Sequence, residues 1–293
     1  MDSAGARLAG AAVRRLEDAA LLRGEGRFID DLSFPGMLHA AFARSPHAHA
    51  AIRGIDKTAA LALPGVRAVL TASDLRPYLR NERLVVALPS PSYQQERNRP
   101  ALAGDEAVHV GEPVAVVVAD DRYIAEDAVA LVDVDYEPLP AASDCRAALA
   151  PDAPKAHRDA PHNLLAELSM GYGDTERAFA GAAHVFRESL WLHRGGSHSI
   201  ECRGAIAVHD AVEDRVTLWC STQMPHAALR VLVDMLGRDE NRLRVVTPDL
   251  GGGFGPKLVI YPEDVVLCIA ALVTGCPVKW IEDRLEHFVA TTQ

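Results

Sequence analysis

Gly251-Gly252-Gly253-Phe254-Gly255-Pro256-Lys257 is the stretch of this 293-residue chain best suited to holding a ligand. Residues without a Cβ let a backbone approach a bound group closely and turn its N–H groups toward an anion or a polar oxygen. A tight turn between a strand and a helix would use the same residues, so the loop alone leaves both readings open. It is not a Walker A loop, because Pro256 stands where a glycine must precede the lysine, and no Ser or Thr follows Lys257. Nor is it a dinucleotide fingerprint, since the G-x-G-x-x-G spacing fails and the next helix starts only near Pro262-Glu263.

Ser221-Thr222-Gln223-Met224-Pro225-His226 is the second candidate. It places the amide of Gln223 at a strand end, just before a helix opened by Pro225, where α/β folds hold their ligands; a capping or loop role would explain the same residue. In Glu201-Cys202-Arg203-Gly204, the Glu and the Arg two residues on share one side of an extended segment, which predicts a buried ion pair fixing a corner rather than a catalytic pair. His47 and His49 have the H-x-H spacing of two imidazoles on one strand face. No carboxylate or cysteine cluster adjoins them to complete a metal site, so an exposed strand face is expected. His193 and His198, flanking Arg194 to Ser197, are equally unsupported, and no G-x-S-x-G, H-E-x-x-H or EF-hand pattern occurs. The five cysteines, Cys145, Cys202, Cys220, Cys268 and Cys276, are odd in number and form no CxxC pair. They read as small buried apolar residues rather than as a disulfide framework or cluster ligands.

The elements that must position these residues follow from periodicity and turn chemistry. Strands are predicted at 37–44, 52–55 and 66–70, a capped helical turn at 71–75, and a long surface excursion over 81–100. The apolar run 113–119 suits a buried strand. Asp120-Asp121 then caps a helix with Ile124, Ala125, Ala128, Val129 and Val132 on one face, and a strand at 133–137 closes a β-α-β unit. Residues 138–161 turn to Ala, Pro and Asp without period, which marks a boundary. Beyond it, strands are expected at 183–192, 205–209, 216–220 and 243–246, a helix at 225–236, a helix from 263 to 273 stopped by Gly275, and a last strand at 278–281. The division is residues 1–145, a linker at 146–162, and residues 163–293, with the strand at 278–281 and the short tail after it leaving a sheet edge and an apolar face uncovered.

Composition limits the classes of function. Thirty Lys and Arg against forty Asp and Glu give a net charge of −10, so no diffuse cationic face attracts phosphate backbones or anionic lipid, and nucleic acid is not expected as a partner. No apolar run approaches the roughly 20 residues of a membrane span. The first ten residues lack the pattern of a leader, which makes the cytoplasm the expected compartment.

Taken in order, these islands resemble one family, the molybdenum hydroxylases of the xanthine dehydrogenase and aldehyde oxidase group, and especially the large subunits similar to carbon monoxide dehydrogenase. The resemblance runs through Arg14 to Asp18, Leu22 to Leu32, Ala43 to Ala50, Val110-Gly111-Glu112-Pro113-Val114-Ala115-Val116-Val117, Glu201 to Gly204, Ser221 to His226, Gly251 to Lys257, and Val278 to Arg284. It implies an α+β fold, an a/b hammerhead domain followed by the first part of a molybdopterin-binding domain. It implies that Gln223, Gly253, Phe254 and Gly255 bind a molybdenum–molybdopterin cofactor, in its cytosine dinucleotide form, and that no catalytic residue and no protein ligand to a metal lies in this chain. Purine-oxidising members carry a glutamate after the lysine of the glycine loop; Leu258 stands there and cannot accept a hydrogen bond, which argues against a purine.

Family large subunits are well over twice as long, and their general-base glutamate belongs to the part beyond residue 293. The resemblance therefore implies half a site. It implies oxidation of a small carbon substrate with water as the oxygen source, and electrons passing to iron–sulfur and FAD centres on partner subunits. The partners implied are a complementary carboxy-terminal molybdopterin-binding chain, an iron–sulfur subunit and a flavin subunit. The alternative is a non-catalytic binding or assembly protein that retains the scaffold; a stand-alone nucleotide-binding enzyme is the third reading.

Overall fold

The computed structural model describes residues 9–84, 90–192 and 195–291. In chain order the strands are β1 (Leu38–Arg44), β2 (Ala50–Asp56), β3 (Val66–Thr71), β4 (Glu106–Ala107), β5 (Pro113–Ala119), β6 (Asp133–Pro138), β7 (Gly204–Asp210), β8 (Arg215–Cys220), β9 (Leu243–Val246) and β10 (Val278–Ile281). The helices are α1 (Asp18–Leu22), α2 (Thr58–Ala62), α3 (Ala72–Leu75), α4 (Arg122–Val129), α5 (Thr175–Gly181), α6 (Pro225–Leu236), α7 (Pro262–Thr274) and α8 (Arg284–Ala290). This is the mixed α and β architecture expected.

Seven strands make one sheet in the order β3-β5-β1-β10-β7-β8-β9, and three make a second, β4-β2-β6. Every residue of β5 is buried, as its unbroken apolar run requires. It is antiparallel to both β1 and β3. Asp121 caps α4 by accepting from the Ile124 N–H at 2.8 Å. The strand after this helix, β6, pairs with β2 in the smaller sheet. The expected β-α-β unit is therefore not formed: α4 crosses from one sheet to the other instead of returning to the same one. The reason lies in composition, because β6 alternates half-buried and exposed residues and cannot fill a fully buried place beside β5.

The larger sheet is continuous across residues 138–161. β10 is parallel to β1, with Leu38 opposite Val278 and His39 opposite Lys279, and antiparallel to β7. The expectation that the strand at 278–281 leaves an edge uncovered is thus corrected: it lies in the middle of the sheet, because its Val, Lys and Trp are buried from both sides. α7 is apolar around most of its circumference, packs on β7, β8 and β10, and ends where Gly275 takes φ 65°. One main core combines these elements with β1, β5 and α6.

Two further expectations change. Residues 183–192 form no strand; they are exposed and unpaired among the described residues. The excursion over 81–100 is no plain surface loop, since Arg80 N–H donates to Met235 O at 2.7 Å and Leu84 N–H to Arg99 O at 2.9 Å, folding it against the end of α6. Its residues 85–89 lie outside the described residues.

Candidate functional site

β8 ends at Cys220, α6 begins at Pro225, and the residues between them meet the glycine loop edge on. The Gln223 N–H donates to Lys257 O at 2.8 Å, and the Thr222 hydroxyl donates to the same oxygen at 3.3 Å. On the side-chain side, Gln223 Oε1 accepts from the Gly255 N–H at 3.3 Å. Gly253 lies so close to this amide that a Cβ there would stand 2.3 Å from Gln223 Cδ, inside any van der Waals contact. Gln223, Gly253 and Gly255 therefore share one wall, with Phe254 exposed beside them.

The loop is held in a tense shape. Phe254 takes φ 51°, a left-handed conformation uncommon for a residue with a side chain, and remains 70% exposed. Strain of this kind persists only where surrounding contacts fix it. Glu201 does so: its Oε2 accepts from the Gly251 N–H and from Lys257 Nζ, both at 2.8 Å. Lys257 is fully buried and Tyr261 OH donates to Pro256 O at 2.6 Å, so the far end of the loop is pinned too. The N–H groups of Gly252, Gly253 and Phe254 have no acceptor among the described residues. Beside this wall opens a cavity of about 510 Å³, lined among others by Tyr93, Arg99, Thr222, Met224, Leu258 and Tyr261.

Glu201 and Arg203 do not pair with each other. Arg203 is buried and reaches Glu282 through Nε at 2.9 Å and Glu263 through both terminal nitrogens at 3.2 Å. Arg44 meets the same Glu263 at 2.6 Å and Glu286 at 2.6 Å. The expected structural corner is present, but the partners of Arg203 come from α7 and from the link between β10 and α8. Burial alone would raise the Glu263 carboxyl; the guanidiniums of Arg203 and Arg44 overturn that and hold it at about 2. Cys202, Glu282 and His287 bring ligand atoms within 4.8 Å of one another, a cluster the sequence did not suggest. Both Glu282 oxygens are already taken by Arg203 and by His287 Nδ1, so this cluster serves the ion-pair corner.

The other candidates are dispersed. His49 is buried rather than on an exposed strand face, with Nδ1 2.8 Å from Pro140 O and Nε2 2.8 Å from Glu106 Oε1, and His47 packs its ring on Tyr136. The chain bends at 47–49, which separates the two imidazoles. His198 meets the rings of His287 and Phe288 edge to face, and His193 lies outside the described residues. Of the cysteines only Cys220 and Cys268 are buried; Cys145 is exposed, and Cys202 and Cys276 are half-buried, all five being free thiols. That residues 90–99 line a cavity with α6 and Leu258 was not legible from residue order, since nothing local specifies a contact across more than a hundred residues.

Residues 23–140 match the aldehyde oxidase and xanthine dehydrogenase a/b hammerhead domain, and residues 156–293 match the molybdopterin cofactor-binding domain. The chain is 40% identical over 281 residues to the nicotine 6-hydroxylase large subunit of Paenarthrobacter nicotinovorans, covering 96% of this chain and 34% of that one. It is 39% identical over 291 residues to the carbon monoxide dehydrogenase large chain of Hydrogenophaga pseudoflava, covering 94% of this chain and 35% of the relative. The crystal structure of quinoline 2-oxidoreductase from Pseudomonas putida 86 superposes with a TM-score of 0.85 at 38% identity, over 95% of this chain and 35% of that one. This chain thus spans about a third of the length of these relatives. With both domain matches in series, carried on the sheet and loop geometry above, the chain belongs to the molybdenum hydroxylase large subunits of the xanthine dehydrogenase and aldehyde oxidase family.

Proposed function

We propose that this chain is the amino-terminal portion of a molybdenum hydroxylase large subunit. In this reading residues 1–145 are the hammerhead, 146–162 a linker and 163–293 the first segment of the cofactor-binding domain. The observation that carries the reading is the contact between Gly253 and the Gln223 amide, a cradle that any side chain at 253 would fill. The residues fit an oxygen-rich group. Gln223 uses Oε1 within the wall, which leaves its NH2 to donate to a bound group, beside N–H groups of Gly252, Gly253 and Phe254 that have no acceptor among the described residues. Bound there, a molybdenum–molybdopterin cofactor would supply two-electron redox chemistry and oxygen transfer from water to a small carbon substrate.

This chain's own residues hold and orient. Glu201 and Lys257 fix the loop, and Leu258 presents an apolar surface to the neighbouring cavity, which favours a substrate without a donor to satisfy at that point. The cytosine dinucleotide form of the cofactor, the complementary carboxy-terminal molybdopterin-binding segment, and iron–sulfur and FAD subunits as electron acceptors complete the proposal. Five free thiols fit a reducing compartment, and the cytoplasm is the one proposed.

The test is to recover the tagged chain, with whatever large-chain segment accompanies it, from its own cells grown with molybdate. Molybdenum is measured by plasma mass spectrometry and pterin by fluorescence after oxidation. One molybdenum per assembly is expected. An assembly free of both molybdenum and pterin overturns the reading and favours the non-catalytic scaffold.

A further inference from the structure

Residues 183–192 read Ala-His-Val-Phe-Arg-Glu-Ser-Leu-Trp-Leu, a strand pattern with large apolar side chains, yet they join neither sheet. None of their backbone groups finds a partner among the described residues. Their two faces differ. Phe186, Leu190 and Leu192 are 88%, 90% and 89% exposed, whereas Val185 and Trp191, on the opposite face, are 52% and 55% exposed. Trp191 rests under the Arg146 guanidinium, 4.2 Å from its ring centre, so one face leans on this chain and the other faces outward.

An extended segment with open N–H and C=O groups and a row of outward apolar side chains is a template for another strand. The relatives carry the equivalent of this chain inside a polypeptide nearly three times as long, so in them two thirds of the chain remain to cover such a surface. We infer that residues 183–192 are a docking strand, which pairs through its backbone with a strand from the remaining part of the large chain and buries Phe186, Leu190 and Leu192 against it. This rests on the large-subunit reading above. It goes beyond that reading in naming the segment and the face through which the two parts join.

Hydrogen exchange followed by mass spectrometry tests it, on the 293-residue chain alone and on the assembly recovered from its own cells. Alone, the amides of 183–192 are expected to exchange as fast as unstructured backbone; in the assembly they should slow at least a hundredfold. The double variant Phe186→Asp, Leu190→Asp should lower recovery of the large-chain complement at least tenfold while leaving the melting temperature of the chain alone unchanged. Fast exchange of 183–192 in an assembly that retains molybdenum overturns the docking strand and leaves the large-subunit reading intact. Protection already present in the isolated chain, or appearing only in a homodimer of it, also overturns the docking strand. Absence of both molybdenum and a large-chain complement overturns the reading and the docking strand together.

Discussion

Gly253 has no room for a side chain, and that single restriction links a backbone to an amide thirty residues away. Gly253→Ala would push a methyl group into Gln223 Cδ, 2.3 Å off, so the amide must swing out or the loop must shift. Overpacking of this kind costs about 1–3 kcal/mol. The expected outcome is a lower melting temperature together with at least a tenfold loss of molybdenum per assembly, by plasma mass spectrometry. A variant that melts lower but keeps its molybdenum would make the contact purely structural. Gln223, Phe254 and Gly255 were recognisable in the sequence because each stands in a short motif. The partners of Glu201 and Arg203 were not, because their spacing of two suggested each other, while Lys257 and the carboxylates of Glu263 and Glu282 lie 56 to 79 residues away.

At the scale of the element, β5 shows how a turn sets the protonation of one side chain. Glu112, just before the strand, is 2% exposed; its Oε2 accepts from the Val108 N–H at 2.6 Å, while Oε1 has no partner among the described residues. Burial pushes the carboxyl up to about 6 from an ordinary 4.5. The folded state then holds a proton that the unfolded state releases between these two values, so this group favours folding increasingly as pH falls through 6, and fully below 4.5. Glu112→Gln removes the charge and keeps the acceptor for Val108. It should raise stability at pH 8 by about 2 kcal/mol and flatten the change between pH 6 and 4.5, as read from urea melts at a series of pH values. The strand itself was legible as an apolar run; the shift depends on what covers the turn, which no local pattern records.

For the whole molecule the decisive cluster is Arg44, Arg203, Glu263, Glu282 and Glu286, which ties β1 and the approach to β7 to α7 and α8. Glu263 at about 2 is depressed below its ordinary 4.5, so its contribution is complete above 4.5 and is lost as pH falls from there through 2. Arg203→Met leaves two buried carboxylates without their shared guanidinium. It should cost about 3–5 kcal/mol at pH 7 and move the acid-unfolding midpoint upward, both measurable by circular dichroism. An unchanged acid midpoint would show that the cluster adds nothing net to the joining of the two halves of the sheet.

Elements whose instructions are local could be read from residue order alone. α6 over Pro225–Leu236, β9 over Leu243–Val246, β10 over Val278–Ile281 and the stop of α7 at Gly275 follow from periodicity, a proline at the first turn and a glycine free to take positive φ. Residue order also supplied the series of motifs from which the family could be read. Long-range packing was needed to set β10 in the middle of the sheet beside β1, to send β6 to the smaller sheet, and to bring residues 90–99 to the wall of a cavity beside Gln223. It also left 183–192, a strand by composition, unpaired among the described residues. The reason is physical: helix and turn hydrogen bonds close within a few residues, whereas a strand or a buried ion pair takes its partner from any part of the chain, or from another part of the assembly, that packing brings alongside.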